Sequence, residues 1–84
     1  MISKKVESAL ISQIQLEEQS SRIYMAMASW CEVNGFPGAA NFLYTHSDEE
    51  RLHMTKLIKY VNDKGGYAVM QPLEMPESKF ESLL

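Results

Sequence analysis

The sequence lacks most of the features that mark secreted, membrane or nucleic-acid-binding proteins. Its one cysteine, Cys31, can form no internal disulfide, which is typical of a reducing compartment. Residues 1–16 contain no continuous apolar stretch of a signal peptide, and no apolar run has the length of a membrane-spanning helix. The net charge is −3, and no stripe of basic residues is present. We expect a cytoplasmic protein with no nucleic-acid or membrane partner.

Glycine and proline are also scarce, and they are confined to two regions. The four glycines and three prolines lie in residues 34–38 and after residue 64. Outside these regions, a helical apolar pattern predicts one helix over about residues 3–34, with Ser3 as its N-cap, and a second over about residues 38–64. So short a connection places two helices side by side and antiparallel. The predicted fold is all-α, an antiparallel helical hairpin.

The C-terminal segment has a different pattern. Pro72 and Pro76 exclude helix over about residues 65–77, which we expect to form an extended crossover. A Ser-x-x-Glu motif at residue 78 has the spacing of a capping box, so a third helix is expected over about residues 78–84. A helix that starts one turn before the last residue suggests a truncated product, a natural half protein, or a chain whose remaining helices lie elsewhere.

The apolar surface of the first helix is wider than one neighbouring helix can cover. One stripe faces the second helix, and another lies about 80–140° away from it. This second stripe consists of Leu16, Ile23, Met27 and Trp30. Because exposed apolar surface of this width favours association, we expect the chain to pair with a copy of itself or with a chain that supplies further helices.

Three polar side chains lie where the helices should present only apolar ones. Glu17 is in the middle of the apolar stripe of the first helix, and Glu50 and His53 share the apolar face of the second. Counted from the common turn, Glu17 lies roughly 25 Å along the hairpin, and Glu50 and His53 lie roughly 18 and 22 Å along it. Burying carboxylates costs several kcal/mol apiece unless a positive charge is bound between them. The cluster therefore predicts a metal site.

The residue types indicate which metal this site would hold. A Glu-x-x-His motif on one helix and a glutamate on its neighbour form half of the ligand set of di-iron carboxylate bundles. Carboxylates with one imidazole suit iron or manganese better than structural zinc. Two alternatives remain: a buried ion pair between Glu50 and His53, and a Glu17 side chain that reaches solvent. The sequence contains no nucleophile triad, phosphate-binding loop or His-Glu-x-x-His motif.

Three further residues lie near this cluster on the helical projection. Tyr24 is two turns from Glu17 on the same face, where its hydroxyl could hydrogen-bond a metal-bound carboxylate, donate an electron, or simply belong to the core. His46 faces inward one turn from Glu50, and a lone core histidine is more often satisfied by a hydrogen bond than by a metal. Glu49 flanks the stripe, and its position favours solvent.

Four stretches of the sequence carry a family resemblance. They are Glu17–Trp30, the Gly-Phe-Pro-Gly-Ala-Ala turn, His46–His53 and Phe80–Leu84. Together they resemble bacterial non-haem ferritin over the whole chain. They match the family's first two helices, its long crossover and the first turn of its third helix.

The resemblance implies a fold and a set of functional residues. Residues 1–84 would form half of a ferritin-like four-helix bundle, completed by association with other helices. Glu17, Glu50 and His53 would be ligands of a di-iron centre that oxidises Fe(II) with dioxygen, with Glu50 bridging the two irons. Tyr24 would lie beside that centre, and Glu49 would bind a neighbouring third iron. The implied function is iron storage and detoxification by a ferroxidase within a ferritin-like assembly.

The sequence departs from the family in one respect, because the third and fourth helices, which supply the other half of the iron site, are absent from it. Either another polypeptide supplies them, or two identical hairpins pair so that the three ligands appear twice, as in encapsulated ferritins. A different hypothesis is a metal-free helical association module, in which Glu50 and His53 form a buried polar pair that fixes register.

Overall fold

A computed structural model describes residues 1–80 and shows two helices packed side by side. Helix α1 comprises Lys4–Val33, and helix α2 comprises Pro37–Asp63. The three-residue connection makes them antiparallel, so the predicted all-α hairpin is confirmed. Neither helix combines the length and hydropathy needed to cross a bilayer.

Both helices are bounded by residues suited to helix ends. The Ser3 hydroxyl accepts a hydrogen bond from the Val6 amide at 3.2 Å and so caps α1, as predicted. Pro37 lies in the first turn of α2, where its missing N–H costs nothing. Gly35 and Gly65 follow the two helices with φ angles of +83° and +86°. Glycine adopts this left-handed conformation without steric cost, which allows the chain to leave each helix sharply.

The helices pack through two apolar clusters with a polar contact between them. The cluster at the open end consists of Ile14, Met54, Val61 and Ala68, and the cluster near the turn consists of Ala28, Cys31, Ala40 and Leu43. Between them lie Ser21 and Ser47, each 1% exposed. Because three of the four buried side chains near the turn are small, the helix backbones can approach each other closely there. Glu17 and Glu50 lie beside the middle of this seam.

Residues 64–80 contain no helix or strand and run back along α1. The Tyr67 amide donates a hydrogen bond to the Glu7 carboxylate at 3.0 Å. At the other end, the Phe80 ring packs edge-on against Trp30 with the ring centroids 6.0 Å apart. Since Glu7 lies near the start of α1 and Trp30 near its end, the segment follows the helix over most of its length.

Two other sequence expectations meet different outcomes. Ser78–Phe80 are not helical, and the rest of the third helix expected over about residues 78–84 falls on residues 81–84, which lie outside the described residues. The second apolar stripe of α1 is only partly covered, because Leu16 is 61% and Ile23 is 41% exposed despite the adjacent segment. This surface stays available for association, as expected from its width.

Candidate metal centre

The structure brings Glu17, Glu50 and His53 together. One ligand atom from each lies within 4.8 Å of the others. The His53 Nδ1 atom is 3.7 Å from a Glu17 carboxylate oxygen and 3.9 Å from a Glu50 oxygen. Glu17 comes from α1, whereas Glu50 and His53 lie one turn apart on α2. The register expected from the common turn therefore holds in the fold.

The spacing of these atoms fits a shared cation. Ligands that each bind a metal at roughly 2.1 Å can lie no more than roughly 4.2 Å apart. The two distances from the His53 Nδ1 atom fall inside that limit and are longer than a good hydrogen bond. The side chains of Glu17 and Glu50 are 18% and 25% exposed, whereas that of His53 is 58% exposed. The carboxylates thus line the inner wall of a site that opens toward solvent beside the imidazole.

The two carboxyl groups perturb each other. A side-chain hydrogen bond between Glu17 and Glu50 is the main cause that lowers the pKa of Glu17 and raises the pKa of Glu50. Partial burial and the negative charge of Glu17 add to the increase in the Glu50 pKa. One proton held between two carboxylates does the same electrostatic work that a bound cation would do.

A residue outside the predicted set orients Glu17. The Gln13 side-chain amide donates a hydrogen bond to the Glu17 carboxylate at 3.0 Å, and this contact helps to lower the pKa of Glu17. Gln13 precedes Glu17 by one helical turn, a spacing at which side chains on α1 meet. This role of Gln13 was not predicted, although its i, i+4 spacing from Glu17 is a signal for such a contact.

Tyr24 and His46 form an aromatic contact on the turn side of the cluster. Their rings meet edge-on with centroids 5.6 Å apart, and Phe42 packs on the other side of His46 at 4.3 Å. The His46 Nδ1 atom lies 3.1 Å from the Phe42 carbonyl oxygen of the preceding turn. The Nδ1 side of the His46 ring is thus engaged by its own helix. The role of Tyr24 beside an iron centre stays a prediction.

Glu49 is exposed and does not join the group of three ligand atoms. Its negative charge nevertheless contributes to the raised pKa of Glu50. The structure therefore places a further carboxylate next to the centre, while its part in binding a third iron stays a prediction.

Comparisons with known proteins show which proteins this chain resembles. The chain is 42% identical over 83 residues to a probable bacterial non-heme ferritin-like protein of Haemophilus influenzae, which covers 99% of this chain and 50% of that protein. It is 40% identical over 84 residues to a bacterial non-heme ferritin of Campylobacter jejuni, which covers 100% of this chain and 50% of that protein. A crystal structure of an open-pore ferritin from the hyperthermophilic archaeon Archaeoglobus fulgidus matches with a TM-score of 0.93 and 32% identity, over 99% of this chain and 51% of that one.

The family model for the ferritin-like domain matches residues 7–83. The curated relatives and the solved structure are all about twice as long as the region matched. The chain thus belongs to the ferritin family and spans about half the length of the curated relatives it matches.

Proposed function

We propose that this chain supplies half of an iron-oxidising centre in a ferritin-like assembly that stores iron. The observation that carries the proposal is the convergence of Glu17, Glu50 and His53 from two helices onto one site. Family membership and relatives named as non-heme ferritins support iron as the metal. Two carboxylates and one imidazole are a donor set that suits iron.

In this proposal Fe(II) is the substrate, and each residue has a distinct part. The carboxylates of Glu17 and Glu50 bind Fe(II) and offset its charge, while the Gln13 amide holds Glu17 in place. His53 supplies a ring nitrogen at the open side of the site. Each Fe(II) would give up one electron to dioxygen, and Tyr24, two turns from Glu17 on α1, would serve the same site. Glu49 would receive iron at a neighbouring position.

The site is incomplete within one hairpin, because three ligand groups leave open coordination positions on any iron pair. A row of side chains beside the centre marks where further helices would pack. Phe42 is 62% and Tyr60 is 50% exposed, and both lie on the side of α2 that carries His53. We propose that this row is covered in the assembly, either by helices of another polypeptide or by a second copy of the chain.

Iron oxidation in air tests the proposal. We expect wild-type protein to oxidise added Fe(II) faster than Glu50→Gln, because the amide cannot bind Fe(II) as an anionic ligand. The loss should be about tenfold or more. Asp48→Asn is the matched control, since it removes one exposed carboxylate two residues away without touching the group of three. Equal rates for wild type and Glu50→Gln would contradict the proposal.

A metal-free association module is the second candidate. It is favoured by the hydrogen bond between the Glu17 and Glu50 carboxyl groups, which can satisfy both residues without a metal. Under this function the purified chain would hold no iron, and Fe(II) added without oxygen would leave the melting temperature unchanged. Elemental analysis together with thermal unfolding distinguishes the two functions.

A further inference from the structure

We propose that Ser21 and Ser47 form a clamp that sets the register of α1 against α2 and thereby positions the ligand atoms of the metal centre. The two serines are the buried polar residues of the described seam, each 1% exposed. The inference deepens the proposed function, and its consequence for metal affinity rests on that function.

The contacts between the two serines are reciprocal. The Ser47 hydroxyl donates to the Ser21 carbonyl oxygen at 2.8 Å, and the two hydroxyl oxygens are 2.8 Å apart. The Ser21 hydroxyl also lies 3.1 Å from the Ser47 carbonyl oxygen. Two hydroxyl protons are thus available for three short contacts, and each serine hydroxyl can donate a hydrogen bond to a carbonyl oxygen of the opposite helix. By contrast, the Thr45 and Thr55 hydroxyls donate within their own helix.

The clamp lies one turn from the centre on both helices. Ser21 follows Glu17 by four residues, which is roughly 6 Å along α1. Ser47 precedes Glu50 by three residues and His53 by six, which is roughly 4.5 and 9 Å along α2. Because the helices are antiparallel, all three distances run from the serine pair toward the open end of the hairpin. Aligning the serines therefore places Glu17 between Glu50 and His53, the arrangement that the structure shows.

The three-residue connection fixes the register near the turn, and the serine contacts fix it near the metal centre, where the rest of the seam restrains sliding weakly. The buried residues on either side are apolar, and several are alanines. Apolar contacts are non-directional, whereas hydrogen bonds weaken steeply when donor and acceptor shift. A slide of one helical turn would keep apolar surface covered but would break every contact of the serine pair. Ser21 and Ser47 are thus positioning residues that act through the ligand-bearing helices.

Cysteine cross-linking measures register without metal. In a Cys31→Ala background, Glu17→Cys is combined either with His53→Cys, the observed register, or with Leu57→Cys, one turn further along α2. A short reagent that becomes fluorescent only after bridging two thiols measures the cross-linking rate of each cysteine pair. In the Ser21→Ala, Ser47→Ala double variant, we expect off-register cross-linking to rise about tenfold relative to in-register cross-linking. Each single serine variant should change this ratio less than about threefold, because the other hydroxyl still reaches a carbonyl.

Leu43→Ala controls for general destabilisation. Leu43 is buried in the cluster near the turn, so its truncation should lower the melting temperature without changing the cross-linking ratio. Circular dichroism confirms that every variant is folded. An unchanged ratio in the double serine variant, or the same rise in Leu43→Ala, would overturn the clamp.

A Co(II) titration followed by visible absorption separates this inference from the proposed function. We expect the double serine variant to bind Co(II) about tenfold more weakly than wild type, with a changed band that reports altered ligand geometry. Leu43→Ala should keep the wild-type band. If wild type bound no Co(II) while the cross-linking ratio changed as expected, the clamp would stand and the proposed metal function would fail.

Discussion

At the scale of single residues, the molecule holds two carboxyl groups against each other on facing helices. The Glu17–Glu50 hydrogen bond shifts the two pKa values in opposite directions. When folding raises the pKa of a carboxyl group, the folded protein loses stability as the pH rises through that pKa. When folding lowers the pKa, the folded protein gains stability as the pH rises. Glu50 therefore opposes folding at neutral pH in the absence of metal, while Glu17 offsets part of that cost.

A substitution at Glu50 tests this balance. We expect Glu50→Gln to raise the melting temperature of the metal-free protein by a few degrees near pH 7, because the amide can donate to Glu17 and never becomes charged. Below about pH 4 the gain should disappear, since Glu50 is then protonated in wild type. Thermal unfolding with a chelator present, compared with Asp48→Asn, measures the difference. A gain that is the same at every pH would contradict the assignment.

At the scale of elements, the extended segment depends on a close backbone approach at Gly66. A Cβ atom there would lie 2.7 Å from a Glu7 carboxylate oxygen and 3.0 Å from the Val61 side chain. The same carboxylate accepts the Tyr67 N–H, so displacing it also frees the start of the segment.

We expect Gly66→Ala to cost about 1–3 kcal/mol of unfolding free energy through this overpacking. Gly38→Ala is the matched control, because its Cβ meets nothing within 4 Å and the position is helical. It should be neutral or stabilise by up to about 1 kcal/mol. Urea unfolding measures both changes. Equal effects of the two substitutions would show that the contacts at Gly66 carry no strain.

The two helices and the convergence of three polar side chains could be predicted, because both depend on local rules. Glycine and proline mark the ends of α1 and α2, and helical spacing from a shared turn brings Glu17 level with Glu50 and His53.

The Ser21–Ser47 clamp could not be predicted in the same way. It depends on the exact rotation of each helix and the close approach of two backbones, which spacing alone does not determine. The path of residues 64–80 along α1 could not be predicted either, because this segment has no periodic pattern. It is held by individual contacts, such as the hydrogen bond from the Tyr67 amide to the Glu7 carboxylate.

At the scale of the whole molecule, the described hairpin is a long, thin body of 50 × 20 × 17 Å with apolar side chains on its surface. Such a shape buries little core for its length, and association would cover the exposed rows. Phe42 and Tyr60 belong to the row beside the candidate metal centre.

We expect a Phe42→Glu, Tyr60→Glu double variant to reduce association strongly, because two charges would have to be buried in the contact. Leu52→Glu is the control, since Leu52 is 62% exposed, as Phe42 is, but lies on the side of α2 away from Glu50. Sedimentation velocity over a range of concentrations gives the size of each variant. A double variant as large as wild type would place the contact elsewhere.

Above all, we propose that one cation binds between Glu17, Glu50 and His53. Anomalous diffraction at the iron absorption edge, from crystals grown with Fe(II) under exclusion of oxygen, tests it most directly. The predicted result is an anomalous peak within about 2.3 Å of an oxygen of each carboxylate and of a His53 ring nitrogen. Well-ordered side chains with no peak between them, or iron bound only at other residues, would contradict the claim.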